Sequence, residues 1–197
     1  ISITTGMTAG GAADVSANGG PLEIVSLSAA ASSTLTASGA ISLGRVTTTA
    51  GDLVVASTRA GITATSIDAA RDANLTAATL ISLADHLTAG GAAAVNANAG
   101  PLDIAALTAG ASATLTASGA VMLGHVRTMA GDLTVTSTGA GIDAASLGAA
   151  NDARLTAATS IGVTTGLTAG GVAVAAANGG TLDLVALTAG ASAILTA

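Results

Sequence analysis

The sequence predicts an all-β chain wound as a right-handed parallel β-helix, a β-solenoid of about 20 residues per coil and roughly ten coils. Three observations carry this expectation. A long unit recurs at an offset of 80; within it, apolar and polar rows recur at an offset of 20 and alternate with period two; and the chain contains no Phe, Trp, Tyr or Cys.

The long repeat is read from short motifs. Pro-Leu-Glu-Ile at 21–24 returns as Pro-Leu-Asp-Ile at 101–104 and as Thr-Leu-Asp-Leu at 181–184, and Ala-Gly-Asp-Leu at 50–53 returns at 130–133. Both recur at an offset of 80. The chain reads as a single β-solenoid segment over 1–197, with units 1–80, 81–160 and a partial 161–197. It opens and closes inside the pattern with no capping helix, Pro cluster or charge block at either end. That pattern predicts one part of a longer fibre, because natural proteins cover free strand edges.

The first strand of each coil follows from the short period. Val15, Leu35, Val55, Leu75, Val95, Leu115, Val135, Leu155, Ala175 and Leu195 form an unbroken apolar row. Two residues later every position is Ala or Ser, and the row between is mostly Thr, Ser or Asn. This alternation marks a strand with one buried face. A second strand follows with inward pairs Leu22/Ile24, Leu102/Ile104 and Leu182/Leu184. In the coils between, Ile41/Leu43 and Val121/Leu123 fall one residue early, so coil length must vary by a residue. A third row, from Met7, Leu27, Val46 and Ile67 to Leu147, Leu167 and Leu187, predicts a third short strand. Asn-Gly-Gly, Ala-Ser-Gly, Ala-Gly-Gly and Ala-Gly-Asp between the rows are turn signals.

Alanine favours helices, but Gly or a Ser/Thr cluster interrupts every run within roughly eight residues, whereas helical solenoids need units of about 33 to 47 residues. A parallel β crossover is right-handed in nearly all proteins, which sets the expected hand. The missing aromatics fit a narrow interior of stacked Val, Leu, Ile and Ala.

Composition excludes several functions. Without Cys there is no disulfide scaffold, thiol chemistry or thiolate metal site, and without aromatics no base or sugar stacking. A net charge of −6 and a pI near 4.3 oppose nucleic-acid binding. Charge-free stretches run from Glu23 to Arg45 and from Asp103 to Arg127, but Thr, Ser and Gly fill them and each holds an Ala-Ser-Gly-Ala turn. No membrane insertion of this segment is expected.

Few residues carry chemistry. Asp52 and Asp72, and again Asp132 and Asp152, are 20 apart and should lie on successive coils. Such carboxylates could bridge a hard cation, or could each cap a backbone N–H in a turn. Turn chemistry is the preferred reading; Arg71 would neutralise the first pair and Arg154 the second. Glu23, Asp103 and Asp183 share a strand position but lie four coils apart, roughly 19 Å, too far for the 5 to 9.5 Å of a glycosidase pair. His86 and His125 have no partner at ligand or triad spacing and read as surface or turn residues. No enzyme activity and no cofactor are expected. Thr34/Thr36, Thr114/Thr116 and Thr134/Thr136 invite comparison with ice-binding solenoids, but Asn74, Ala94, Arg154 and Val174 interrupt the column.

Gly110-Ala111-Ser112-Ala113-Thr114-Leu115-Thr116-Ala117-Ser118-Gly119 and Ala130-Gly131-Asp132-Leu133-Thr134-Val135-Thr136-Ser137, together with the short coil period, resemble the repeats of filamentous haemagglutinin-type adhesins. These are large exoproteins of two-partner secretion. The resemblance runs through the whole chain and implies a right-handed β-helical shaft on a Gram-negative surface. It implies a secreted, extracellular or cell-surface location and, as partners, neighbouring repeats of the same fibre and like fibres alongside. The family's secretion domain, with its Asn-Pro-Asn motifs, has no counterpart among these residues. The sequence therefore leads to a structural shaft segment acting as a rigid spacer in attachment. A binding module such as an ice-binding β-solenoid using its Thr rows is the alternative.

Overall fold

The computed structural model describes residues 1–197 and contains strands and turns but no helix. Each coil contributes one short strand, of five residues as in Ala113–Ala117 except for the four of Ala193–Thr196, and the inner coils one of eight or nine, such as Leu102–Ala109 or Ile81–Ala89. The short strands stack into a ten-stranded sheet and the long ones into a twelve-stranded sheet, every adjacent pair parallel. The second sheet gains its extra members because the long strand is split in the first and last coils, into Ser2–Ile3 with Met7–Ala9 and Leu182–Leu184 with Leu187–Ala189. The chain is a β-solenoid.

The three inward rows all form, but as two strands rather than three. In Leu22–Ala29 the buried positions are Leu22, Ile24, Leu27 and Ala29, and the alternation breaks at Val25 and Ser26, both exposed. Two consecutive outward residues turn the chain through a corner while pairing with the next coil persists on both sides: Ile24 pairs with Leu43, and Ser26 with Arg45. The second and third rows are therefore the two limbs of one bent strand.

The expected one-residue wobble is present. Leu22 pairs with Ile41, Ile41 with Ile62 and Ile62 with Ile81, so successive steps are not equal. The corner absorbs the difference. Inward residues Ile104 and Leu107 bracket it in Leu102–Ala109, whereas Leu83 and Leu87 bracket a longer one in Ile81–Ala89, where the register shifts. Gly44 and Gly124 sit at the corner of the coils that fall one residue early, and a Cβ on either would collide with the carbonyl oxygen of Val25 or Ala105 in the coil beneath.

Fifty-three buried apolar residues form one continuous core along the axis. Leu115 is fully buried and pairs with Val95 on one side and Val135 on the other, as the apolar row requires. The turns stack too: the Gly90 N–H donates to Ala69 O at 2.9 Å and the Gly110 N–H to Ala89 O at 2.8 Å. Backbone groups are thereby paired from coil to coil through turns as well as strands. Six polar residues are buried, and no buried side-chain N or O lacks a partner. Thr48 and Thr128, one unit apart, occupy inward positions held by Ala in the neighbouring coils. Each donates across its own turn, to Gly51 O at 2.9 Å and Gly131 O at 2.6 Å, and accepts the N–H of Ala70 or Ala150 from the next coil.

Candidate functional site

The four aspartates lie in turns that precede the short strands. Their side chains reach along the axis rather than towards each other. Asp52 Oδ1 accepts the Asp72 N–H at 3.2 Å, and Asp72 Oδ1 accepts the Ala92 N–H at 2.7 Å. The second unit repeats this: Asp132 Oδ1 accepts from Asp152 N–H at 3.2 Å, and Asp152 Oδ1 from Val172 N–H at 2.7 Å. Ser32 and Ser112 begin each ladder by accepting the N–H of Asp52 and Asp132. Each carboxylate thus satisfies a backbone donor one coil on, which is turn chemistry of the Asx kind extended between coils.

Nowhere in the chain do three His, Cys, Asp or Glu side chains converge as a metal site would require. Arg71 does approach Asp52, with Nε 3.7 Å from Oδ1, but both side chains are largely solvated and the pair contributes little. The expected partnership of Arg154 with the second pair does not form. Arg154 lies within the strand Ala153–Ala157, exposed between Thr134 and Val174, with no carboxylate in ion-pair range. Its strand position points it out of the sheet, away from the turn.

Glu23 and Asp103 project from the first limb of the bent strands. Glu23 pairs with Ser42 and accepts the Ser2 hydroxyl at 3.2 Å, and Asp103 pairs with Met122. Neither meets a second carboxylate in its own rung or the next.

The two histidines are not isolated, contrary to the expectation from spacing alone. His86 Nε2 lies 3.0 Å from Asp68 Oδ1 and Nδ1 lies 3.1 Å from Asp85 Oδ2, while Arg45 Nη2 donates to Asp68 Oδ2 at 3.0 Å. The two carboxylates meet opposite ring nitrogens, so the three groups do not close on a common point. Arg45 and His86 both pair with Ser66, on opposite sides, and reach diagonally to Asp68 on the same strand. Linear spacing concealed this cluster because it joins coils of unequal length; sorting outward residues by register would have found it. One unit later His125 takes the place of Arg45, and its Nδ1 lies 2.6 Å from Ser146 Oγ.

The corresponding surface 80 residues further along is a groove of about 760 Å³ over the second limbs of Leu102–Ala109, Val121–Thr128, Ile142–Ala149 and Ile161–Ala169. His125, Arg127 and Ser146 lie in its wall, with Gly148 and Gly166 at the positions 80 residues after Asp68 and His86.

The threonine rows point outward on the ten-stranded sheet, but Thr36, Thr76, Thr116, Thr136 and Thr156 are only half-exposed because stacked neighbours cover them. Contiguous Thr-x-Thr pairs occur on adjacent coils only at Thr114/Thr116 and Thr134/Thr136, which face each other in register.

No family model, no curated protein and no solved structure matches this chain.

Proposed function

We infer that this chain is a shaft segment of a secreted bacterial surface adhesin or extracellular fibre, holding other parts of the fibre at a fixed distance and catalysing no reaction. One observation carries the reading: pairing continues without a break through ten coils, in turns as well as strands. Each coil advances the axis by about 4.8 Å, so ten make a rod near 48 Å long. Every coil buries its apolar face against its neighbours, and stability becomes a sum of nearest-neighbour terms. Such a body resists bending and can be extended by adding units, which is what a spacer needs. Its partners in this reading are the neighbouring repeats of the fibre, and like fibres alongside. The polar chemistry found at the turns, the aspartate ladders and the Thr48 and Thr128 bridges, serves stacking. That supports a mechanical role over a catalytic one. Ice binding draws only on two adjacent Thr-x-Thr rungs.

The test is a fibre lacking residues 41–120, assayed for attachment to cells with soluble fibre as competitor. Export and attachment affinity should match the parent, because a spacer sets reach and not recognition. Loss of affinity at normal export would contradict the spacer role.

A further inference from the structure

An 80-residue step along the chain replaces an ion cluster with a surface that lacks one. In the cluster, Arg45 faces Asp68, and His86 stands between Asp68 and Asp85. At the same register 80 residues on stand His125, Gly148, Thr165 and Gly166, and Arg127 replaces Thr47. Two carboxylates have gone and one guanidinium remains. Arg127 is exposed and makes no ion pair, and no carboxylate lines the groove beside it. Asp103 and Asp143 lie across the corner, on the first limb, where they border a separate shallow depression.

The glycines that open this groove are not required by the backbone. Neither Gly148 nor Gly166 has a positive φ. A Cβ on Gly148 would come no closer than 3.9 Å to Arg127 and Val126, and one on Gly166 no closer than 3.5 Å to Ala186, all ordinary contacts. Gly124, by contrast, is forced by the Ala105 carbonyl. These two positions lack side chains that the fold would accept.

We propose that this groove binds a carboxylate-bearing sugar unit of an acidic oligosaccharide. Arg127 and His125 stand two residues apart on one strand, both outward, roughly 6.6 Å between Cα atoms. When the Ser146 hydroxyl donates to Nδ1 of His125, Nε2 carries the proton and becomes a donor. A guanidinium beside an imidazole N–H recognises a carboxylate by charge-assisted hydrogen bonds. Thr108, Thr165 and Thr168 add hydroxyls that suit a polyhydroxylated ring. The groove runs over four stacked strands, three coil steps or about 14 Å, room for two or three sugar units. An acidic peptide fits less well. Extended peptides bind sheets by adding to an open edge, and here the backbone groups of these strands are already paired to the coils on both sides. The proposal goes beyond the spacer reading and does not depend on it.

The experiment titrates the chain with tri-galacturonate, its fully methyl-esterified form and a short poly-glutamate peptide, followed by isotope-edited NMR. Saturable binding of the acid form is expected, with shifts confined to residues around His125, Arg127 and Gly148. Arg127→Gln should weaken it about tenfold, the loss of one charge-assisted pair. Gly148→Asp should weaken it as much by giving Arg127 the carboxylate that Asp68 supplies in the first unit. Arg154→Ala, remote from the groove, should bind as the parent does. Melting curves confirm that each variant is folded. Absence of saturable binding, equal binding of the ester or the peptide, or indifference to both Arg127→Gln and Gly148→Asp would overturn the proposal.

Discussion

Leu115 and Thr116 are adjacent in sequence and opposite in environment. Leu115 is enclosed between Val95 and Val135, while Thr116 stands half-exposed between Asn96 and Thr136. Leu115→Asp would place an unpaired charge in the core, a cost of several kcal/mol, about 3 or more. Thr116→Asp keeps its carboxylate at the surface and should cost about 1 kcal/mol or less. Thermal melting of the two variants checks this, and equal losses would invert the inward and outward faces. The aspartate ladders offer a second test at this scale. Because Asp72 Oδ1 and Asp152 Oδ1 already accept a backbone N–H at 2.7 Å, Asp72→Ala or Asp152→Ala should cost about 1 kcal/mol, the usual worth of a capping hydrogen bond. Calcium or a chelator should leave the parent melting temperature unchanged. A rise with calcium that Asp72→Ala abolishes would assign the carboxylates to a cation.

Among the elements, the bent long strand does most to shape the coil, and it is only partly legible in the sequence. The inward rows are plain because each is sampled about ten times, Leu22/Ile24 and Leu27 among them. Their union in one strand is hidden, since the period of two fails at Val25 and Ser26 and such a failure reads as a break between strands. Register across the corner has the same effect on the Arg45–Asp68–His86 cluster, whose members meet diagonally across coils of unequal step. Gly148 and Gly166 carry no signal either, because in a chain with 26 glycines each passes for a turn residue. The ordinary turn glycines serve close stacking: only Gly6 has a positive φ. Two substitutions separate these roles. Gly124→Ala forces a methyl against the Ala105 carbonyl and should cost about 1–3 kcal/mol. Gly148→Ala makes only ordinary contacts, at 3.9 Å from Arg127 and Val126, and should be neutral or stabilising by about 0.5–1 kcal/mol. Chemical denaturation of both variants checks the contrast.

On the scale of the whole molecule, one property organises the rest: coils repeat in phase every four turns, so that Ile41 and Val121 occupy the same position of the same kind of coil. Removing residues 41–120 joins Ala40 to Val121 without shifting any inward row to the outer face. The shortened chain keeps its core residues in contact, Leu35 and Leu43 being replaced in sequence order by Leu35 and Leu123. Stability per coil should change little, because each coil depends on its neighbours alone. The measurement that tests this account most directly is the length of the purified rod, by electron microscopy or small-angle scattering, for the parent and for the chain lacking 41–120. The account predicts a decrease of about 19 Å, four coils at about 4.8 Å, with the cross-section unchanged. An unchanged length, or a shorter rod that has also thickened, would contradict the stacked solenoid.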